Sequence, residues 1–206
     1  DAHTTMAIGA AKLLASERRL KGRLVFIFQP AEENEGGAKR MLEEGLFDQH
    51  PVDSVYGLHN MPGVPVGEVW ARSGPVSASF DTFSATVVGR GGHGAMPENA
   101  VDPLPAAANA LLALNTIVSR NVPPLEAAVL SVCALNGGDA YNVIPDEAQL
   151  KGSCRTLNPE VQTLLHRRIR EVLDGVAASY GVTTRCDIES CYPPVINTPA
   201  ETAQLQ

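Results

Sequence analysis

No extended block of lysine and arginine occurs in the 206 residues, and 23 acidic against 16 basic side chains leave a net charge of -7. That balance excludes non-specific attraction to nucleic acid phosphates and leaves small molecules as the better class of ligand. No apolar run reaches the roughly eighteen residues that a membrane span needs, and no stretch has the charged-then-apolar form of a signal peptide. Cysteine is sparse and unpatterned. Cys133, Cys154, Cys186 and Cys191 show no Cys-x-x-Cys spacing, so they read as reduced thiols in a cytoplasmic protein rather than as a disulfide frame. There is no low-complexity segment and no repeat beyond an approximate βαβ duplication, which excludes a solenoid. An initiating methionine is also lacking: the chain begins at Asp1 and ends in a Pro/Thr/Ala/Gln stretch, so it reads as an internal piece of a longer protein.

With 44% hydrophobic and 19% charged residues, the composition is that of a soluble globular protein able to bury one large core or two small ones. From Thr4 to Leu20 the spacing of Met6, Ile8, Ala10, Leu13 and Leu14 predicts an amphipathic helix, ended by Gly22. Leu24-Val25-Phe26-Ile27-Phe28 is apolar throughout and too short for a helix, so a strand buried on both faces is expected. A helix over Gly37–Glu44, stopped by Gly45, and strands over Val52–Leu58 and Val66–Ala71 follow. Helices alternating with apolar strands predict a mostly parallel sheet.

The pattern changes after Gly74-Pro75. Strands are expected over Phe80–Val88, Ala127–Leu135, Glu147–Thr156 and Val182–Glu189. One helix opens at Asp102-Pro103 with the face Leu104, Ala107, Ala108, Leu111, Leu114 and Val118. Another opens at Asn158-Pro159 with the face Val161, Leu165, Ile169, Val172, Val176 and Tyr180, and closes at Gly181. Strand, helix, strand, strand, helix, strand is the split βαβ, ferredoxin-like order. The expected fold class is α/β, with part of a parallel-sheet domain over residues 1–78, an inserted ferredoxin-like α+β domain over 79–191, and a return segment over 192–206.

Several residues could carry chemistry. Gln29-Pro30-Ala31-Glu32-Glu33-Asn34 sets two carboxylates just past an expected strand end, where α/β proteins keep their ligand sites. One could hold a metal while the other moves a proton; the competing reading is a solvated surface pair. His59, past the next strand, and His3 offer imidazoles of the kind that Zn²⁺ or Mn²⁺ takes, although a lone histidine is often structural. His93 lies within Gly89-Arg90-Gly91-Gly92-His93-Gly94-Ala95-Met96-Pro97, whose glycines permit close approach by a ligand or another chain. Arg155, in a strand-like run, needs either a structural carboxylate or a bound anion, and its guanidinium fork suits a substrate carboxylate.

Taken together, Gln29-Pro30-Ala31-Glu32-Glu33, Gly57-Leu58-His59-Asn60, Gly91-Gly92-His93-Gly94-Ala95-Met96-Pro97, Asn142-Val143-Ile144-Pro145-Asp146 and Gly152-Ser153-Cys154-Arg155-Thr156 resemble the amidohydrolase branch of the aminoacylase and glutamate-carboxypeptidase type metallopeptidases. That branch includes hippurate hydrolase, N-acetyl amino acid deacetylases and indole-acetyl amino acid hydrolases. The resemblance implies a hydrolase with two divalent metal ions, Zn or Mn and also Co or Ni, cleaving the amide bond of small N-acyl amino acids, with a lid domain that forms a homodimer. By position in those blocks it implies that Glu32 is the general base and Glu33 and His59 are metal ligands. His93 would reach over the partner subunit's active site to stabilise the oxyanion, and Asn142 and Arg155 would hold the substrate carboxylate. Asp1 and His3 would stand beside the ligands. Asp1 matches the last residue of the family's Cys-Gly-His-Asp ligand block, and a further ligand histidine is expected beyond Gln206, so catalysis is expected of the longer protein. A carboxypeptidase acting on short peptides and a non-catalytic binding or dimerisation module are the alternatives.

Overall fold

The computed structural model describes residues 2–17, 21–33 and 36–205. The chain divides into two compact units, Asp1–Ala71 and Arg72–Gln206, so both expected domain boundaries, after 78 and after 191, fall inside the second.

The first unit holds three helices: α1 over Ala2–Glu17, α2 over Gly37–Glu43 and α3 over Leu46–Gln49. The first starts two residues before the expected Thr4 and is described as far as Glu17. Its apolar residues Met6, Ile8, Leu13 and Leu14 are exposed, so it has the composition of a packed helix without a packed face. Gly45, expected only as a stop, adopts a left-handed conformation and also opens α3. Residues 24–28, 52–58 and 66–71, expected as strands, do not form regular strands. Leu24, Ile27, Phe28, Val55, Leu58, Val69 and Trp70 are exposed. An apolar run supplies only the side chains of a buried strand, whereas the strand itself requires a neighbour to take its backbone N–H and C=O groups. Among the described residues of this unit no such ladder forms.

The second unit carries β1 (Gly74–Ser77), β2 (Phe80–Val88), β3 (Gly92–His93), α4 (Pro103–Leu114), α5 (Thr116–Asn121), β4 (Ala128–Asn136), β5 (Val143–Ile144), β6 (Glu147–Thr156), α6 (Pro159–Tyr180), β7 (Thr183–Tyr192), β8 (Val195–Asn197) and α7 (Pro199–Leu205). Its main sheet has the order β4-β6-β2-β7 and every neighbouring pair is antiparallel. With α4 and α6 as the two crossovers this is the expected ferredoxin-like topology. Asp81, Phe83, Ala85 and Val87 of β2 alternate inward with Ala148, Leu150, Cys154 and Thr156 of β6, as the two-residue period of a one-sided sheet requires. They meet Leu114 of α4, Ile117 of α5 and Leu165, Ile169 and Leu173 of α6, all fully buried.

The helix starts follow from their caps. Asp102 Oδ1 accepts the N–H of Leu104 at 2.9 Å and Asn158 Oδ1 that of Glu160 at 2.9 Å, each with proline at the first helical position. Gly181 closes α6 in the left-handed region. Two details differ from expectation. The helix from Asp102 breaks at Asn115 into α4 and α5. Its buried face is Ala106, Ala107, Ala110, Leu114 and Ile117, while Ala108 is exposed. The face of α6 runs Val161, Leu165, Ile169, Leu173 and Ala177, with Val172 and Val176 on its flank. A periodicity locates an apolar stripe to about one neighbouring row, and packing selects its centre. β1 and β8 form a separate two-stranded ribbon; β8 and α7 are too short to leave a periodic signal.

Candidate active-site residues

In the first unit Glu32 and Glu33 occupy an exposed turn between Pro30 and α2. The loop is drawn tight at its base. A Cβ on Gly37 would lie 1.8 Å from the Pro30 carbonyl oxygen, so only glycine permits that approach, and the Gly37 N–H donates to the Ala31 carbonyl at 3.4 Å. Ala31, directly before the carboxylates, has φ 51° and is the only non-glycine with positive φ among the described residues. A side chain held in that region is strained, and such strain gathers at functional loops.

His3 and His59 meet edge to face, with ring centroids 4.8 Å apart. His59 Nδ1 lies 2.7 Å from the Asn60 carbonyl oxygen. A carbonyl only accepts, so Nδ1 carries the proton and Nε2 keeps its lone pair, the arrangement that backbone support imposes on metal-binding imidazoles. His3 Nε2 accepts the N–H of Asn60 at 3.0 Å. His3 therefore steadies the residue that orients His59. Asp1 lies outside the described residues. None of Glu32, Glu33, His59 and His3 belongs to a group of three metal-type donors within 4.8 Å of one another; among the described residues only Asp81, Cys154 and His166 form one.

In the second unit the structure brings His93 and Asn142 together. β3 and β5 pair with Gly92 opposite Ile144 and His93 opposite Val143, and the Gly94 N–H donates to the Asn142 carbonyl at 2.8 Å. His93 Nδ1 accepts the N–H of Ala95 at 3.1 Å, so the neutral ring carries its proton on Nε2. The two histidines thus hold opposite tautomers: His59 presents a lone pair and His93 an N–H donor.

Asp146 fastens this ribbon and received no role from the sequence. Its carboxylate accepts the Gly91 N–H at 2.8 Å and its backbone carbonyl the Gly89 N–H at 2.8 Å. A Cβ on Gly91 would lie 2.6 Å from the Ile144 carbonyl oxygen, which explains one glycine of the cluster around His93. The signal available in sequence was an acidic residue closing the Asn142–Asp146 block, but its partner lies 55 positions earlier. Asp146→Ala is expected to remove the side-chain acceptor and loosen the ribbon. The ¹⁵N spectrum of the His93 ring should then shift from a single Nε2–H tautomer towards a mixture, and an unchanged spectrum would refute the clamp.

Arg155 sits apart, in the four-stranded sheet, with its guanidinium 4.3 Å from the centroid of the Phe80 ring. No carboxylate pairs with it among the described residues, so the structural ion pair considered from sequence is not formed. Its fork keeps its hydrogen-bond donors available, and the aromatic face fixes its plane.

The profile of Peptidase family M20/M25/M40 matches residues 1–206. The N-acetylcysteine deacetylase of Bacillus subtilis is 42% identical over 182 residues, covering 88% of this chain and 47% of its own. The hippurate hydrolase of Campylobacter jejuni is 43% identical over 197 residues, covering 96% of this chain and 51% of its own. Among solved structures, a dinuclear metal binding peptidase of the M20 family from Bacillus subtilis aligns with a TM-score of 0.81 at 34% identity, over 98% of this chain and 50% of that one. An aminobenzoyl-glutamate utilization protein from Klebsiella pneumoniae aligns with a TM-score of 0.75 at 29% identity, over 100% and 51%. The chain spans about half the length of these relatives. Its fold mixes α-helices and β-strands, and the chain belongs to peptidase family M20/M25/M40.

Proposed function

We propose that the protein of which these residues form part is a metal-dependent amidohydrolase that cleaves N-acyl amino acids into a carboxylic acid and a free amino acid. The observation that carries this reading is the pair of opposite tautomers. One histidine, in the first unit, offers a lone pair, and the other, in the second, offers a proton from a glycine-rich ribbon. The names of the relatives supply the substrate class, N-acetylcysteine and hippurate.

Glu33 and His59 fit divalent metal: a carboxylate and an imidazole with a free Nε2 suit Zn²⁺ or Mn²⁺. Two such ions, when bound, would polarise the amide carbonyl and lower the pKa of the attacking water. Glu32 takes a proton from that water on its carboxylate oxygen and returns it to the amide nitrogen, which leaves as the amine. His93 reaches over the partner subunit's active site, where its Nε2–H donates to the carbonyl oxygen as negative charge builds there. Asn142 and Arg155 hold the substrate carboxylate, the guanidinium by two parallel N–H donors. His3 steadies Asn60 and through it the His59 ring.

The second unit acts as a lid and pairs two copies of the chain; its sheet ends in two edge strands, β4 and β7, that are open to a partner. The four cysteines are unpaired, which suits a reducing cytoplasm, and no described helix is long and apolar enough to cross a membrane. The test is hydrolysis by the full-length protein of hippurate, N-acetylcysteine and short peptides, with metal content measured on the same sample. Cleavage of the N-acyl amino acids with stoichiometric metal is expected. Preference for peptides would move the reading to a carboxypeptidase, and metal-free protein without turnover would refute it.

A further inference from the structure

Asp81, Cys154 and His166 come from three different elements and take no part in the proposed chemistry. Asp81 of β2 and Cys154 of β6 are directly opposed across the ladder, so their side chains stand together on the helix-covered face. Both are fully buried. His166 and Gln162 lie one turn apart on α6 and close over them. The Gln162 Nε2 donates to both Asp81 oxygens, at 2.8 and 3.0 Å, and the Cys154 thiol reaches Oδ2 at 3.9 Å. His166 Nε2 is 3.5 Å from Oδ2, yet it is buried and makes no hydrogen bond. No Lys or Arg pairs with Asp81 among the described residues. A buried carboxylate whose only nearby cation source is an unaligned imidazole is costly to keep, and an orphaned buried nitrogen adds to that cost.

We infer that Asp81, Cys154 and His166 form a binding site for one thiophilic divalent cation of the zinc class, separate from the ions proposed at Glu33 and His59. The three donor atoms lie within 4.8 Å of one another. Tetrahedral zinc with bonds of about 2.0–2.3 Å sets its ligands roughly 3.3–3.8 Å apart, and the spacings of 3.5 and 3.9 Å lie at or near that range. The orphaned His166 Nε2 gains a partner and the buried Asp81 charge gains its counter-ion. The His166 side chain remains 21% exposed, leaving an approach for the ion and for a water as fourth ligand. The ion would tie β2, β6 and α6 together at the sheet–helix interface and stabilise the folded unit.

The test is titration of the metal-free 206-residue chain with Co²⁺. One equivalent should bind with a near-ultraviolet thiolate-to-cobalt charge-transfer band, displaced by Zn²⁺. The band should survive Glu33→Ala combined with His59→Ala, vanish in Cys154→Ser, and require at least tenfold more Co²⁺ in His166→Asn. A wild-type titration without the band overturns the site, as does a band that persists in folded Cys154→Ser, since Cys133, Cys186 or Cys191 would then be its source. Should Cys154→Ser fail to fold by circular dichroism, His166→Asn decides, and unchanged affinity there overturns it.

Discussion

Replacing Glu32 by alanine in the full-length protein is expected to lower kcat by about 10²- to 10⁴-fold, the range that a positioned acid–base group contributes, while metal content stays near that of the wild type. Glu33→Ala should do the reverse in order of cause, with metal lost first and turnover lost with it. The two carboxylates are adjacent on one short turn. Its base is held by the approach of Gly37 to Pro30, and the residue before it is fixed at a positive φ. Neighbouring side chains on such a turn leave in different directions, so they serve different partners. Metal analysis beside steady-state kinetics separates the roles. Unchanged kcat in Glu32→Ala would sink the base assignment, and Glu32→Ala protein lacking metal would mean that both residues are ligands.

Leu165→Ala is expected to destabilise the second unit by about 2–5 kcal/mol, the cost of deleting a buried leucine side chain together with the cavity that remains. Leu165 has no exposure and sits in the α6 row that covers the sheet. Its neighbours in that row, Val161 and Ile169, are buried as well, and the Asn158 cap holds the first turn, so the helix has little freedom to collapse into the gap. At a slope of about 1–3 kcal/mol per molar urea, the midpoint should fall by roughly one molar or more. Leu112→Ala is the control: it lies on α4 but is 69% exposed, and its midpoint should move by no more than about 0.5 kcal/mol in equivalent stability. Equal shifts for the two variants would show that the core is not where the burial pattern puts it.

The two units differ in how far their sequences announced them. In the ferredoxin-like unit Phe80–Val88 and Glu147–Thr156 were legible to the residue, because a one-sided sheet writes its alternation into the chain and its helices open on Asp-Pro and Asn-Pro. In the first unit Leu24–Phe28 had the composition of a buried strand and is not one. Composition is local, whereas pairing is a property of two segments, and among the described residues of this unit the apolar runs form no ladder. The same distinction runs through the site. His93 and Glu32-Glu33 stood out because glycine density and paired carboxylates are local signals. Asp146 did not stand out, since its role depends on Gly91, 55 positions away, nor did the meeting of Asp81, Cys154 and His166, which only the register of β2 on β6 and the placement of α6 create.

By itself, then, the sequence determined the order of elements in the second unit, their caps and their inward faces, together with which residue types are available for chemistry. Periodicity and capping act within one segment, so one segment suffices to reveal them. Only the tertiary structure decided which nitrogen of His59 and of His93 carries the proton, and that Arg155 lies on Phe80 rather than on a carboxylate. Each of these depends on a backbone group or a ring elsewhere in the chain, brought within hydrogen-bond or van der Waals reach by folding alone.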